Sequence, residues 1–265
     1  MSSDLFASAD LFDAARLCLD QADPRQKVAL TQHYAAAFRE GVLTLDPSAP
    51  APAPIRMPGR PATPLLVHPR DLPRRGLGTP EGRAAFIHAI AHIELNAIDL
   101  AWDAVYRFRG LPAAFYADWV AVADDESRHF MLLRARLQAH DHDYGDFAAH
   151  NGLWEMCEKT AHDGLARMAL VPRVLEARGL DVTPGMIVKL RSLGDAATAE
   201  VLEPSCAKKW RTWPPARVGT AGIASRPMSS RAHGSRLCCA NTPAAICMGR
   251  SICRRACLPV STRTS

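Results

Sequence analysis

Residues 121–133 read Ala121-Val122-Ala123-Asp124-Asp125-Glu126-Ser127-Arg128-His129-Phe130-Met131-Leu132-Leu133, and their spacing decides the fold. A helix through this stretch continues an apolar stripe of Phe115, Trp119, Val122, Leu133 and Leu137 by steps of three and four. Glu126 and His129 fill the gap between Val122 and Leu133. An ionised carboxylate on the inward face of a helix is strongly unfavourable unless it is paired or binds a metal ion. At positions i and i+3 a carboxylate oxygen and an imidazole nitrogen point the same way and can share one ion. A hard oxygen beside a borderline nitrogen suits iron, with manganese as the other choice.

The flanking segments repeat the pattern. Thr79-Pro80-Glu81 is a helix start, a capping hydroxyl followed by proline where its missing N–H costs nothing. The spacing predicts a helix to Phe108, ended at Gly110, with a stripe of Ile87, Ile90, Ala97, Ala101 and Val105 and with Glu94 inside that stripe. Leu111-Pro112 opens the next helix, to about His140. Glu94 and Glu126 lie at matching distances before and after the turn at 110–112, so folding back there brings them level. A third helix is expected from Gly152 to Arg178, stopped by Gly179, in which Leu165, Ala169 and Pro172 lead to Glu176. Thr183-Pro184 then restarts a short helix to Leu193, and Gly194-Asp195 another. Long helices joined by short turns imply an all-α antiparallel bundle. The candidate metal ligands are Glu94, Glu126, His129 and Glu176, with Glu158 as the replacement for Glu176. Other readings stay open: Glu94 paired with Arg107 or Arg128, His129 a hydrogen-bonded core histidine, and His88 and His92 facing solvent or a helix neighbour. Glu155, Glu158 and His162 read as a solvated face, and Arg134, Arg136 and Arg173 as surface charge.

Working outward, residues 1–43 read as two short helices, the second over about Arg25 to Leu43. Residues 44–75 hold 9 prolines, which fix φ and remove donors, so this stretch is an extended linker or a strap over the surface. The organisation expected is 1–75 as N-terminal helices and linker, 76–203 as the bundle, and 204–265 as a separate tail. No run approaches the ~18 apolar residues of a membrane span, and Asp4, Asp10 and Asp13 argue against a secretory signal, which leaves the cytoplasm as the expected compartment.

The chain's net charge of +5 is unevenly distributed. All 27 acidic residues lie in 1–203, which carries 21 basic ones and a net charge of −6; the last 62 residues hold 11 Lys and Arg and no acid. The basic balance is therefore not a nucleic-acid footprint of the fold. The tail also carries Cys206, Cys238, Cys239, Cys247, Cys253 and Cys257 without zinc-finger spacing. A fourth bundle helix with a second Glu-x-x-His is expected near position 208, where the chain reads Pro204-Ser205-Cys206-Ala207-Lys208-Lys209-Trp210-Arg211-Thr212-Trp213. Reading the codons from the third base of the Pro204 codon, with TCN serine and CGN arginine, permits ILREEVAHV, a helix with Glu-x-x-His at the expected place. Residues 204–265 accordingly read as an out-of-frame translation, disordered or poorly packed; the alternative is a genuine basic tail that binds zinc or RNA.

Several longer words carry a family resemblance: Arg74-Arg75-Gly76-Leu77-Gly78, His92-Ile93-Glu94-Leu95-Asn96-Ala97-Ile98-Asp99-Leu100, Asp125-Glu126-Ser127-Arg128-His129-Phe130, Tyr144-Gly145-Asp146-Phe147, His150-Asn151-Gly152-Leu153-Trp154-Glu155 and Leu175-Glu176-Ala177-Arg178-Gly179. Over about 55–203 the chain resembles the DUF455 family of the ferritin-like superfamily. The resemblance implies a four-helix ferritin-like bundle, here with its fourth helix disrupted, and a dinuclear metal site following the pattern Glu, Glu-x-x-His, Glu, Glu-x-x-His. Glu94, Glu126, His129 and Glu176 match its first four ligands. It implies oxygen activation at a diiron centre, with hydroxylation as in the tRNA hydroxylases of the superfamily, or else peroxide or iron handling; the alternatives are a non-enzymatic iron-storage bundle and an inactive truncated product. A tRNA substrate is the one nucleic-acid partner this allows. The chain as printed is expected to hold at most one metal ion, weakly.

Overall fold

The computed structural model describes residues 10–46, 48–170 and 177–203. Helix α1 (Leu11–Asp20) is capped by Asp10, whose carboxylate accepts from the N–H of Phe12 at 2.7 Å and of Asp13 at 3.2 Å. Helix α2 (Pro24–Arg39) follows after a short turn, with Asp23 as its cap and Pro24 in its first turn. Helix α3 (Pro80–Arg107) starts on the Thr79 hydroxyl, which accepts from the N–H of Gly82 at 3.0 Å. Helix α4 (Ala113–Gln138) begins after the turn at Gly110, which has φ +67°. No strand is present among the described residues beyond two isolated bridges, Asp10 with Thr44 and Leu66 with Ala149.

The largest helix contact is α3 on α4, followed by α1 on α3 and α2 on α4. One apolar core runs through all four, with Leu11, Leu19, Tyr34, Ile87, Trp102, Trp119 and Phe130 fully buried. Residues 10–43 thus share the core of the long helices. Burying these large side chains is the main favourable term, about 1.5–3 kcal/mol for each aliphatic or phenylalanine chain removed from water. By length and composition α3 could cross a membrane, yet 72% of its most apolar stretch is buried inside the fold.

The prolines of 44–75 make a strap. Gly59 donates its N–H to the carbonyl of Leu19 at 2.7 Å, and a Cβ there would lie 2.1 Å from the Asp20 oxygen, so only glycine allows this approach. Further along, Arg60 donates to Asn96 of α3 at 2.8 Å, and Trp154 donates to the carbonyl of Arg56 at 2.7 Å.

The expected third helix is broken. Helix α5 (Gly152–Lys159) ends before Thr160, and α6 (Gly164–Leu170) restarts on Asp163, whose side chain accepts from the N–H of Leu165 at 2.7 Å. Buried Arg167 explains the break: it donates to the carbonyl of Cys157 at 2.6 Å, the Thr160 hydroxyl at 2.7 Å and Asp103 of α3 at 2.7 Å. This seals the end of α5 and pins α6 to α3. Leu165, expected on the inward stripe, is 37% exposed, and Met168 is buried instead. Helix α7 (Ala177–Ser192) runs through Pro184 rather than restarting there. Asp195 then caps a helical stretch over 196–203 and meets Arg136 and His140 of α4 at 3.1 and 3.2 Å. Residues 171–176 and the tail 204–265 lie outside the described residues, and with them Arg173, Glu176 and the expectations for the fourth helix.

Candidate metal centre

Glu94 on α3 and Glu126 and His129 on α4 come together between the two helices. One ligand atom of each lies within 4.8 Å of the others, and all three side chains are buried. The His129 Nδ1 and a Glu126 carboxylate oxygen are 2.9 Å apart, as i, i+3 spacing on a helix allows. The turn at Gly110 and Pro112 brings Glu94 level with Glu126, so three positions from one hairpin converge.

The surroundings hold this hairpin in register. Asp124, one position before Asp125, is buried and takes Arg39 of α2 at 2.6 Å and Arg128 at 2.8 Å. Ser127 donates to the Asp124 carbonyl at 2.7 Å. Arg107 is engaged by Asp103, at 2.6 Å, and Arg128 by Asp124 and Asp125, which is where the two arginines considered for Glu94 are placed.

Glu155 and Glu158 are exposed on α5 and His162 is exposed beyond its end, so Glu158 does not join this group. Glu176 itself lies outside the described residues. Of the two places expected for His88 and His92, solvent or a helix neighbour, the structure excludes solvent: both are buried, and His92 meets Asn96 one turn along α3. His92 donates from Nε2 to the His150 carbonyl at 3.1 Å, and its Nδ1 is 2.7 Å from the Tyr144 hydroxyl, which donates to it when the ring is neutral. His88 stacks on Tyr144 and accepts the Gly145 N–H at Nε2, 3.0 Å. Burial pushes both imidazoles down to about 4. The loop 142–151 is thereby fixed on α3 by two uncharged histidines. Arg134 and Arg136 are also not free surface charge; Arg134 makes a two-pronged contact with Asp143 at 2.6 and 2.8 Å.

Sequence reasoning missed a second set of buried charges on α3. Lys27 of α2 meets Asp99, both almost fully buried. Asp103, with no exposed surface, receives Arg107 and Arg167 and the thiol of Cys157 at 3.2 Å. The guanidinium groups hold the Asp103 carboxyl below its usual value although burial acts to raise it. Burial pushes Asp99 up, against the pull of Lys27. Both acids lie in the apolar run 97–105, about 140° and 180° around the helix from Glu94 and so off the stripe that singled Glu94 out.

A family model described as "Protein of unknown function (DUF455)" matches residues 20–206. The chain belongs to the DUF455 family. It is 52% identical over 150 residues to an uncharacterized protein of Haemophilus influenzae, across 54% of this chain and 52% of that one. The chain therefore spans about half the length of the curated relative it matches. No solved structure matches it. The DUF455 match includes α2 through the helical stretch at 196–203 and ends near the point where the acidic residues stop.

The donor set fits a metal ion. Two carboxylates and one imidazole, buried together, are hard-to-borderline ligands for iron or manganese, and a cation compensates acids that would otherwise repel. Three ligands from the described residues suffice for one ion. They do not make up a pair of metal sites among the described residues.

Proposed function

We propose that this chain is a ferritin-like metal-binding bundle whose intact form holds two irons and serves as an oxygen-activating oxidoreductase or hydroxylase. The observation that carries the reading is the convergence of Glu94, Glu126 and His129 in the interior of the α3–α4 hairpin. In this chain Glu94 and Glu126 would supply carboxylate oxygens and His129 a ring nitrogen. When bound, a pair of reduced irons supplies two electrons to dioxygen together. The chain's own contribution is orientation and exclusion of water. The Arg39–Asp124 and Arg128–Asp124 contacts fix the α4 turn that carries the Glu-x-x-His, and the apolar neighbours Ile98, Ala123, Phe130 and Leu133 keep it dry.

The end of the family match near 206, the loss of every acid after 203 and the permitted ILREEVAHV reading together support an out-of-frame tail. On that account the printed chain is an incomplete product that holds one ion, and the fourth helix with the second Glu-x-x-His is restored by shifting the frame at codon 204. A non-enzymatic iron-storage bundle is the second reading, favoured by the same one-ion donor set.

The test is a frame-corrected protein reconstituted with Fe(II) under anaerobic conditions and then exposed to dioxygen. Two irons per chain and oxygen consumption with turnover of a co-substrate support the oxidoreductase; iron oxidation without turnover supports storage. A corrected chain that still holds no iron contradicts both.

A further inference from the structure

A second site lies on the other side of α3. At ~100° per residue, His92, Asn96 and Asp99 stand about 140–160° around the helix from Glu94. Between this face and the proline strap is a cavity of about 300 Å³. Its walls are apolar, including Met57, Pro64, Leu66 and Leu95, and its polar groups come from Arg60, Asn96 and Tyr144 among others. Met57 and Leu65 are more than half exposed at its edge. This size and lining suit a small organic molecule rather than a single ion.

The charges in the wall are unequal. Asp99 is already met by Lys27, and His92 is a neutral ring that donates to the His150 carbonyl. Asn96 spends its Oδ1 on Arg60 and an amide hydrogen on the His92 carbonyl. Among the described residues Arg60 remains as the cation of the cavity. Its Nη2 reaches Asn96, but its Nε–H is buried and has no hydrogen-bond partner among the described residues. A buried donor left unmade is disfavoured by about 1–3 kcal/mol, and Nε is one prong of the side-on fork by which arginine grips a carboxylate.

We propose that this cavity is a binding site for a small monocarboxylate with an apolar body, anchored by Arg60 and enclosed by the strap. The site does not depend on metal at Glu94, Glu126 and His129, so either reading can fail alone. The strap explains its own sequence on this account: Gly59 sets the close approach to α1 that delivers Arg60, and the prolines form a rigid apolar wall.

The test is titration of the full chain with octanoate, followed by calorimetry and by ligand-observed NMR, with octanol and octylamine as controls of equal chain length. Octanoate is expected to bind, and octanol and octylamine at least 10-fold more weakly. Arg60→Met should weaken octanoate at least 10-fold and abolish its advantage over octanol, while Arg60→Lys keeps part of that advantage. Leu95→Trp, which fills the cavity without touching the cation, should remove binding of both; circular dichroism checks that each variant is folded. No octanoate binding to the wild-type chain, equal affinity for octanoate and octanol, or an Arg60→Met protein that binds octanoate unchanged would each overturn the proposal. So would a crystal structure with an ordered water on Arg60 Nε that octanoate does not displace.

Discussion

Two groups of buried acids share helix α3, and they are built differently. Asp99 and Asp103 are each met by cations from elsewhere in the fold, Lys27 for the first and Arg107 and Arg167 for the second. Glu94 is grouped instead with another carboxylate and an imidazole. The first arrangement ties α2 and α6 to α3 and is complete within the chain. The second gathers negative charge and ligand atoms at one point, which is what a metal ion requires. Burial alone therefore does not separate a structural acid from a functional one; the company it keeps does.

That contrast can be broken by substitution. The largest effect is expected at the metal group: Glu94→Gln or His129→Gln should weaken iron binding by at least ~100-fold, above the 10–100-fold typical of residues that only support a ligand. The metal-free stability of Glu94→Gln should stay the same or rise, since one of two neighbouring acids is gone. Calorimetric titration with Fe(II) and urea unfolding of the same samples measure both. Arg167→Met should do the reverse, leaving iron affinity unchanged and lowering stability by about 3 kcal/mol, because it strips a partner from a fully buried carboxylate. Loss of iron binding in Arg167→Met, in a protein still folded, would erase the distinction.

The neutral histidines sharpen the comparison through pH. His88 sits near 4 when folded against about 6.5 in the unfolded chain. Burial is the main cause; His142 lowers it further, and Asp146 opposes. A base whose folded value is depressed contributes stability that is full above 6.5 and is lost as pH falls through 4. Protonation at Nε2 also breaks the bond from the Gly145 N–H. Between pH 7 and pH 5 this one group should account for about 1–2 kcal/mol. His88→Gln should flatten the acid limb of the stability curve over that range. A smaller loss, about 1 kcal/mol at constant pH, is expected for Gly145→Ala: its φ of +114° suits glycine, and a Cβ would stand 2.5 Å from the Thr63 hydroxyl. Thermal unfolding at pH 7 checks it.

The hairpin and the convergence of Glu94, Glu126 and His129 were legible because two features of the sequence agreed. Glu94, Glu126 and His129 interrupt apolar stripes of period 3.6, and the turn at 110–112 is marked by Gly110 and Pro112. Asp99 and Asp103 stand about 140° and 180° around α3 from Glu94, off that stripe; Arg107 is one turn from Asp103, but the partners Lys27 and Arg167 are 72 and 64 residues away, and no local pattern reveals that pairing. The break at Thr160 was hidden for a similar reason: it rests on a buried arginine reaching back to α5 and α3, whereas the Asp163-Gly164 start was visible but weaker than the apolar period around it. Pro184 misled in the other direction, since proline tends to start helices but here lies within one. The prolines of 44–75 announced an extended path and said nothing of where it ran; Gly59 against Leu19 and Arg60 against Asn96 settle that only in three dimensions.

The most direct test is the iron content of the printed chain. Protein purified without chelator and brought to equilibrium with Fe(II) by dialysis under anaerobic conditions should bind about one iron per chain at saturation. Glu94→Gln, Glu126→Gln and His129→Gln should each carry almost none. Iron retained at the wild-type level in all three variants would contradict the account.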